Sequence, residues 1–314
     1  MEYIKPALSL IEQVSLLQDR GLIITDQAKA MRYLEHIGYY RLSAYMIPFY
    51  QDKVAHQFKD DVSFENVLNL YIFDRKLRLL ILEAIERIEI SFRSNIINIF
   101  ASELEPYAYL KPEYFDTRYQ HDWLTHKISN EIDKSSEAFI QHYKNKYTQP
   151  KLPPIWMALH LLTFKEISVF HSKITSTAVK QKIAEAYGLK EPVLESWMRS
   201  LSDLRNLCAH HSRIWNRTFG VKAVIPKSKP KHWLSTFPVL IDIGNNQKIS
   251  PRNSLYYQVV IIWYFISQMN SQSTWLNRLI KLCQAYQIDM KYLGFSDDWR
   301  KDEFWRRSDG SHHL

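Results

Sequence analysis

The sequence predicts an all-α fold, on three observations. Glycine occurs only seven times in 314 residues, which disfavours a turn-rich β protein and any glycine-rich phosphate loop. Apolar residues recur every three or four positions over stretches far longer than a strand. Residues that start and stop helices fall where this periodicity begins and ends.

The elements follow in order. Ser9-x-x-Glu12 is a capping box that opens a helix from Ser9 to Arg20, and Gly21 stands where it would stop. Thr25 or Asp26 caps a second helix, which closes at Gly38. The pair reads as an αα-hairpin, with a DNA-reading helix-turn-helix as the rarer alternative. Tyr39, Tyr40, Arg41 and Tyr45 come next, either as base-stacking and phosphate-holding groups or as an aromatic cluster at the core edge. From Ser63 to about Phe100 there is no glycine or proline, and Leu70, Phe73, Leu77, Ile81, Ile85, Ile88, Phe92, Ile96 and Ile99 repeat at three or four, predicting one long helix. Its other side carries Glu83 with Arg87 and Glu89 with Arg93, each Glu-to-Arg at i,i+4. That is a solvated, salt-bridged face, or alternatively a place where Arg87 or Arg93 reaches a cleft and holds RNA backbone.

Asp116 to Tyr147 reads as a polar segment, and Pro150 to Pro154 makes a stiff turn before a helix from Ile155 to about Phe170. Thr177 to Tyr187 forms another helix, stopped by Gly188, and Pro192 lies in the first turn of the next. Between Lys222 and Lys248, Lys227, Lys229, Lys231, His232 and Trp233 sit among prolines: a surface connection, or a basic loop with an aromatic for RNA. Leu255–Met269 and Thr274–Tyr286 make a last helical pair.

The helix from Pro192 carries the chemistry. Trp197, Leu201, Leu204, Cys208 and His211 recur at spacings of four, three, four and three, one apolar stripe of an amphipathic helix. Asn206 and His210 share another face. If the helix persists, His211 points to the core while His210 points with Asn206 into a cleft or a partner. Arg205 supplies a fixed cation ~140° around the helix from His210, so one subunit's pair need not meet on one phosphate, and two motifs meeting across a twofold axis would solve this. A histidine can accept the proton of a ribose 2′-OH near neutral pH and an arginine can neutralise charge on the attacked phosphate, giving a 2′,3′-cyclic phosphate and a 5′-OH without a metal. The spacing alone is weak: Arg306 or Arg307 with His312 and His313 also fits, in a polar tail with Gly310.

The chain resembles the Abi-like family of phage abortive-infection proteins, placed within the HEPN superfamily. The resemblance is carried by LRNLCAHHSRIWNR, by IGYYRLSAY near the start, by PPIWMALHLLTFKEISVF in the middle and by LGFSDDW near the end. It implies a HEPN-type helical bundle with an N-terminal helical hairpin and a C-terminal helical subdomain, a homodimer with a composite site, and metal-independent endoribonuclease activity. On matching positions it implies Arg205 and His210 as the catalytic pair and Asn206 as the polar residue after the arginine; His211 either substitutes for His210 or packs. The chain departs from the family's central pattern at His160 and Lys165, where Glu and Gly are expected. Family context also suggests a dedicated small noncoding RNA as a restraining partner.

Composition agrees. Forty-one Lys and Arg against 33 Asp and Glu give a net charge of +8 and a pI near 9.2, suited to a polyanion. Two cysteines, Cys208 and Cys283, both in apolar patterns, make neither a disulfide framework nor a zinc site. The start lacks a secretory pattern, and the longest apolar run, Leu255 to Ile266, falls short of the ~20 residues of a membrane span. A cytoplasmic protein that neither spans a membrane nor needs a cofactor is expected. The chain divides into a hairpin region at 1–60, a HEPN-like core at 61–220 and a C-terminal subdomain at 221–314. The functional expectation is a toxin-type antiphage endoribonuclease; a noncatalytic structured-RNA-binding protein and a DNA-binding regulator using the hairpin remain alternatives.

Overall fold

A computed structural model describes residues 6–241 and 248–306. Among the described residues thirteen α-helices carry the fold, joined by short 3-10 turns and two very short antiparallel strand pairs. The all-α expectation therefore holds.

α1 (Leu10–Asp19) opens on the Ser9–Glu12 capping box and α2 (Gln27–Ile37) on Asp26, whose side chain accepts from the Lys29 amide. Gly21 and Gly38 adopt φ of 89° and 88°, the left-handed half of the map where a Cβ is strained, which is why each chain stop is a glycine. The IGYYRLSAY segment forms a further helix, α3 (Tyr39–Met46), followed by the hairpin β1 (Tyr50–Asp52) and β2 (Gln57–Phe58).

α4 (Phe64–Glu103) is the axle of the molecule, 40 residues capped by Ser63 and Asn66 and therefore ~60 Å long. α3, α9, α10, α11 and α12 all pack on it. The polar segment after it corrects the sequence reading. It contains α5 (His121–Lys134) and α6 (Ala138–Lys146), which bury Leu124, Ile128, Ile132, Ile140 and Tyr143 from among charged neighbours. The helix expected over Ile155 to Phe170 is broken in two. α7 (Ile155–Ala158) runs into a 3-10 turn, and Thr163 and Glu166 then cap each other's backbone to start α8 (Phe164–Lys173). The reciprocal cap supplies acceptors for N–H groups that lose their carbonyl partners where the helix breaks.

α9 (Thr177–Glu185) stops before Gly188 and α10 (Glu191–Ala209) begins with Pro192 in its first turn. After a loop holding β3 (Leu240–Ile241) and β4 (Lys248–Ile249), α11 (Leu255–Met269) is buried on every side from Leu255 to Ser267. A helix buried all round must find partners for its polar groups. Gln258 donates to the Ser200 hydroxyl at 2.7 Å, Tyr257 to the Val224 carbonyl at 2.7 Å, Trp263 to the Phe304 carbonyl at 2.9 Å and Tyr264 to the Tyr187 carbonyl at 2.9 Å. α12 (Trp275–Ala285) and α13 (Glu303–Arg306) complete the described chain. Among the described residues no helix is long and apolar enough to cross a membrane.

Candidate functional site

The apolar stripe of α10 is as the spacing predicts: Trp197, Leu201, Leu204 and Cys208 are all buried. His211 is the correction. The helix ends at Ala209, His210 is its C-cap, and His211 takes φ 58°, so neither histidine continues the helix. The His211 amide bonds back to the Cys208 carbonyl at 3.1 Å and Ser212 to Leu207 at 2.9 Å, the closing turn that leaves a residue in left-handed conformation. His211 thus faces solvent instead of extending the stripe. His210 is exposed as well, and no described group hydrogen-bonds either imidazole. Arg205 and Asn206 are half-buried one turn earlier, the guanidinium donating to the side-chain Oδ1 of Asn206 at 3.5 Å.

The chain leaving this turn is stapled down. Asp74 of α4, fully buried, accepts from the Trp215 amide at 2.7 Å, the Ile214 amide at 3.2 Å and the Tyr45 hydroxyl at 2.7 Å, and is paired with Arg78 one turn along. Arg78 reaches the Ser212 carbonyl at 3.4 Å. Burial raises the Asp74 carboxyl above its ordinary range, against the pull of Arg78, Tyr45 and the two amides. α3 adds two ties: Arg41 donates to the His211 carbonyl at 2.9 Å, and Arg213 to the Ala44 carbonyl at 2.7 Å. The two most distinctive sequence blocks, IGYYRLSAY and the Arg-Asn-His-His segment, are therefore parts of one structure. Sequence reasoning missed Asp74 and Arg78. Their signal was a charged i,i+4 pair set on the apolar side of α4.

The remaining sequence-picked residues scatter. Arg41 and its neighbour Tyr40, which is 91% exposed, adjoin the motif turn. Arg93 does not present a free cation: it donates to Glu89 at 2.8 Å and to the Leu162 carbonyl at 2.9 Å in a largely buried setting, so the solvated-face reading fails for this pair. Glu89, expected from the sequence only as the partner of Arg93, also feels the motif. Burial lifts its carboxyl while the positive charges of Arg93 and Arg205 pull it back, which sets it beside the motif arginine. Arg93 also lowers His160, after burial, so His160 stands near Arg93 where the family's Glu was expected, and Arg93 is left to Glu89. Lys165 sits in the first turn of α8. Arg87 is the exposed counterpart, paired with Glu83 at 3.2 Å. Lys227, Lys229 and Lys231 are exposed, and Lys229 donates to the Ser235 carbonyl at 2.8 Å. They are not brought to the motif: Lys227 and Lys229 line a cavity with Val193, at the opposite end of α10 and ~18 Å along its axis from Arg205. Trp233 corrects the loop reading, since it is buried and stacked on Trp197 at 5.2 Å. Arg307, Gly310, His312 and His313 lie outside the described residues. Among the described residues no group of three or more His, Cys, Asp or Glu could hold a metal ion.

The fold and site define a helical-bundle protein in which a half-buried guanidinium and amide stand one turn before two exposed imidazoles at a stapled helix end. The particular family is shown by comparison. The family model described as Abi-like protein matches residues 32–216, from α2 to the end of the motif turn, and the chain belongs to that family. No curated protein and no solved structure matches it. The chain is thus an abortive-infection type protein.

Proposed function

We propose that this Abi-like protein is a metal-independent endoribonuclease with a HEPN-type site. The observation that carries the reading is the exposed C-terminal end of α10, where His210 has a free imidazole next to Asn206 and Arg205. His210 takes the proton of a ribose 2′-OH, and the 2′-oxygen attacks the adjacent phosphorus. The P–O5′ bond breaks, and the departing 5′-oxygen receives a proton from an imidazolium. Arg205 neutralises the charge that builds on the phosphoryl oxygens, and Asn206 orients the phosphate. The staple through Asp74 holds the turn in place, and Glu89 adds a negative charge that Arg205 feels. The site is completed by a second copy, and a small noncoding RNA bound at the same cations restrains it.

The test is cleavage of a structured RNA with EDTA present, with the product ends read by mass spectrometry. Cyclic phosphate ends are expected without added metal. His210→Ala should abolish cleavage with melting unchanged within about 0.5 kcal/mol, whereas His211→Gly, which relieves a left-handed backbone, should melt no lower. Cleavage lost to chelation and restored by a divalent ion would overturn the mechanism, and a fully active His210→Ala protein the site. RNA held but never cut would move the reading to a noncatalytic RNA-binding protein.

A further inference from the structure

A second basic feature lies on the far side of α4 and beyond the residues shared with the family. α12 and the C-terminal segment that includes α13 enclose a groove of about 480 Å³ lined by Arg278, Lys281, Arg300, Arg306, Trp299 and Trp305, among others. None of its lining residues is acidic. Four other cavities on the described surface each set at least one carboxylate among their cations. The all-basic lining is therefore a property of this groove and not of the +8 surface as a whole.

The cations are arranged rather than scattered. Arg306 is fixed by its donation to the Arg300 carbonyl at 3.2 Å and the Lys301 carbonyl at 2.6 Å, with no carboxylate partner among the described residues. Arg300 lies over the Trp299 ring, 5.2 Å from its centroid. Trp299 is half-buried and stands edge-on to Trp305 at 5.8 Å, so the ring is held from behind. Lys281 is exposed and meets no carboxylate among the described residues. Arg278 alone is shared, paired with Glu83 of α4. Glu83 is held below the usual carboxylate range chiefly by that arginine, and its other partner is Arg87.

We infer that this groove is a docking site for single-stranded RNA, with the phosphates on Lys281, Arg300, Arg306 and Arg278 and a base against Trp299. Three features select that ligand. A fixed ring beside several cations is what a nucleotide needs, because stacking takes any base while the cations take the backbone. Gln284 and Thr274 add groups that hydrogen-bond base edges or sugars. A lipid surface would need exposed apolar side chains, and the only aliphatic lining residue, Ile280, is half-buried. The groove makes the protein an RNA holder at two places, the motif turn and this C-terminal face, and it does not depend on cleavage at α10.

The test uses the full-length protein and a fluorescein-labelled 2′-O-methyl RNA of about 15 nucleotides, which binds but cannot be cut. The variant is Lys281→Glu with Arg300→Glu; the control, with the same change in charge, is Lys134→Glu with Lys151→Glu, both exposed and away from the groove. Anisotropy should show the groove variant binding at least about tenfold more weakly, with the salt slope reduced by about 1.4 for two lost phosphate contacts. The control should bind as the parent does. Ultraviolet crosslinking should tie the RNA to the peptide containing Trp299, and Trp299→Ala should lose that crosslink. Equal weakening by both pairs overturns the groove in favour of a general field, as does tight binding by the groove variant. Displacement of the RNA by polyglutamate as readily as by unlabelled RNA overturns RNA as the ligand, and unlabelled DNA of the same sequence competing equally overturns selectivity for ribose. Melting curves must show the variants folded. His210→Ala protein should keep this binding, so a failed nuclease with an intact groove, or an active nuclease with an empty one, separates the two readings.

Discussion

At the residue scale, a buried histidine gives the sharpest pH dependence. His171 of α8 is fully buried against the edge of Phe92 at 5.2 Å, and neither ring nitrogen has a hydrogen-bond partner among the described residues. Burial, with Lys180 nearby, lowers its pKa from 6.5 to about 3. The unfolded chain therefore binds a proton that the folded chain refuses over that interval, and stability falls as pH drops from 6.5 towards 3. His171→Phe removes the titration and the unsatisfied ring nitrogens. Its thermal melts should be flatter than the parent's across that window and higher at neutral pH by about 1 kcal/mol or more. A parallel pair of pH profiles would show that His171 contributes nothing to acid sensitivity. His211 shows where residue reading ran out. Its spacing continued the stripe, but the helix had already closed at Ala209, and the left-handed position was filled by histidine instead of the glycine that usually announces it.

At the scale of elements, the motif turn depends on α4. Asp74 holds the amides of Ile214 and Trp215 as well as Arg78 and Tyr45, so it joins α3, α4 and the chain after α10. Asp74→Ala leaves Arg78 buried without its counter-charge, and should cost about 3–5 kcal/mol. Replacing the whole ion pair, as Asp74→Leu with Arg78→Met, often restores stability when the pair is all that was lost. Here it should recover only part, because two buried amides still lack an acceptor. Urea titration of the single and double variants measures this, and full recovery in the double variant would deny Asp74 its role at the turn. The first two helices were legible because their caps, Ser9 and Asp26, stand just before the apolar positions, and α4 was legible from its apolar period without glycine or proline; the structure adds caps at Ser63 and Ser254. α5 and α6 were not, since their few buried residues sit among charges. The break between α7 and α8 was hidden because Thr163 and Glu166 lie inside an apolar run that keeps its helical period.

At the scale of the whole molecule, the unfinished surface lies beside the motif. Leu79 and Ile90 of α4 are 61% and 55% exposed, eleven residues apart and so on one face, with half-buried Leu82 between them. Ile90 follows Glu89, the carboxyl that feels the charge of Arg205. An apolar row of this kind on the otherwise charged and polar exposed side of α4 is what a twofold contact between copies would cover, and it would carry two motif turns towards each other. Leu79→Glu with Ile90→Glu should leave melting almost unchanged, since both side chains are exposed, yet yield a monomer by light scattering that no longer cleaves RNA. Composite chemistry adds a second expectation. Arg205→Ala and His210→Ala proteins, each inactive, should regain up to about a quarter of wild-type cleavage when mixed, because half of the randomly exchanged dimers are mixed and one of their two sites is whole. Wild-type protein that stays monomeric while cutting at full rate would remove the composite site, and a mixture that stays silent despite proven subunit exchange would place Arg205 and His210 of each site in one subunit.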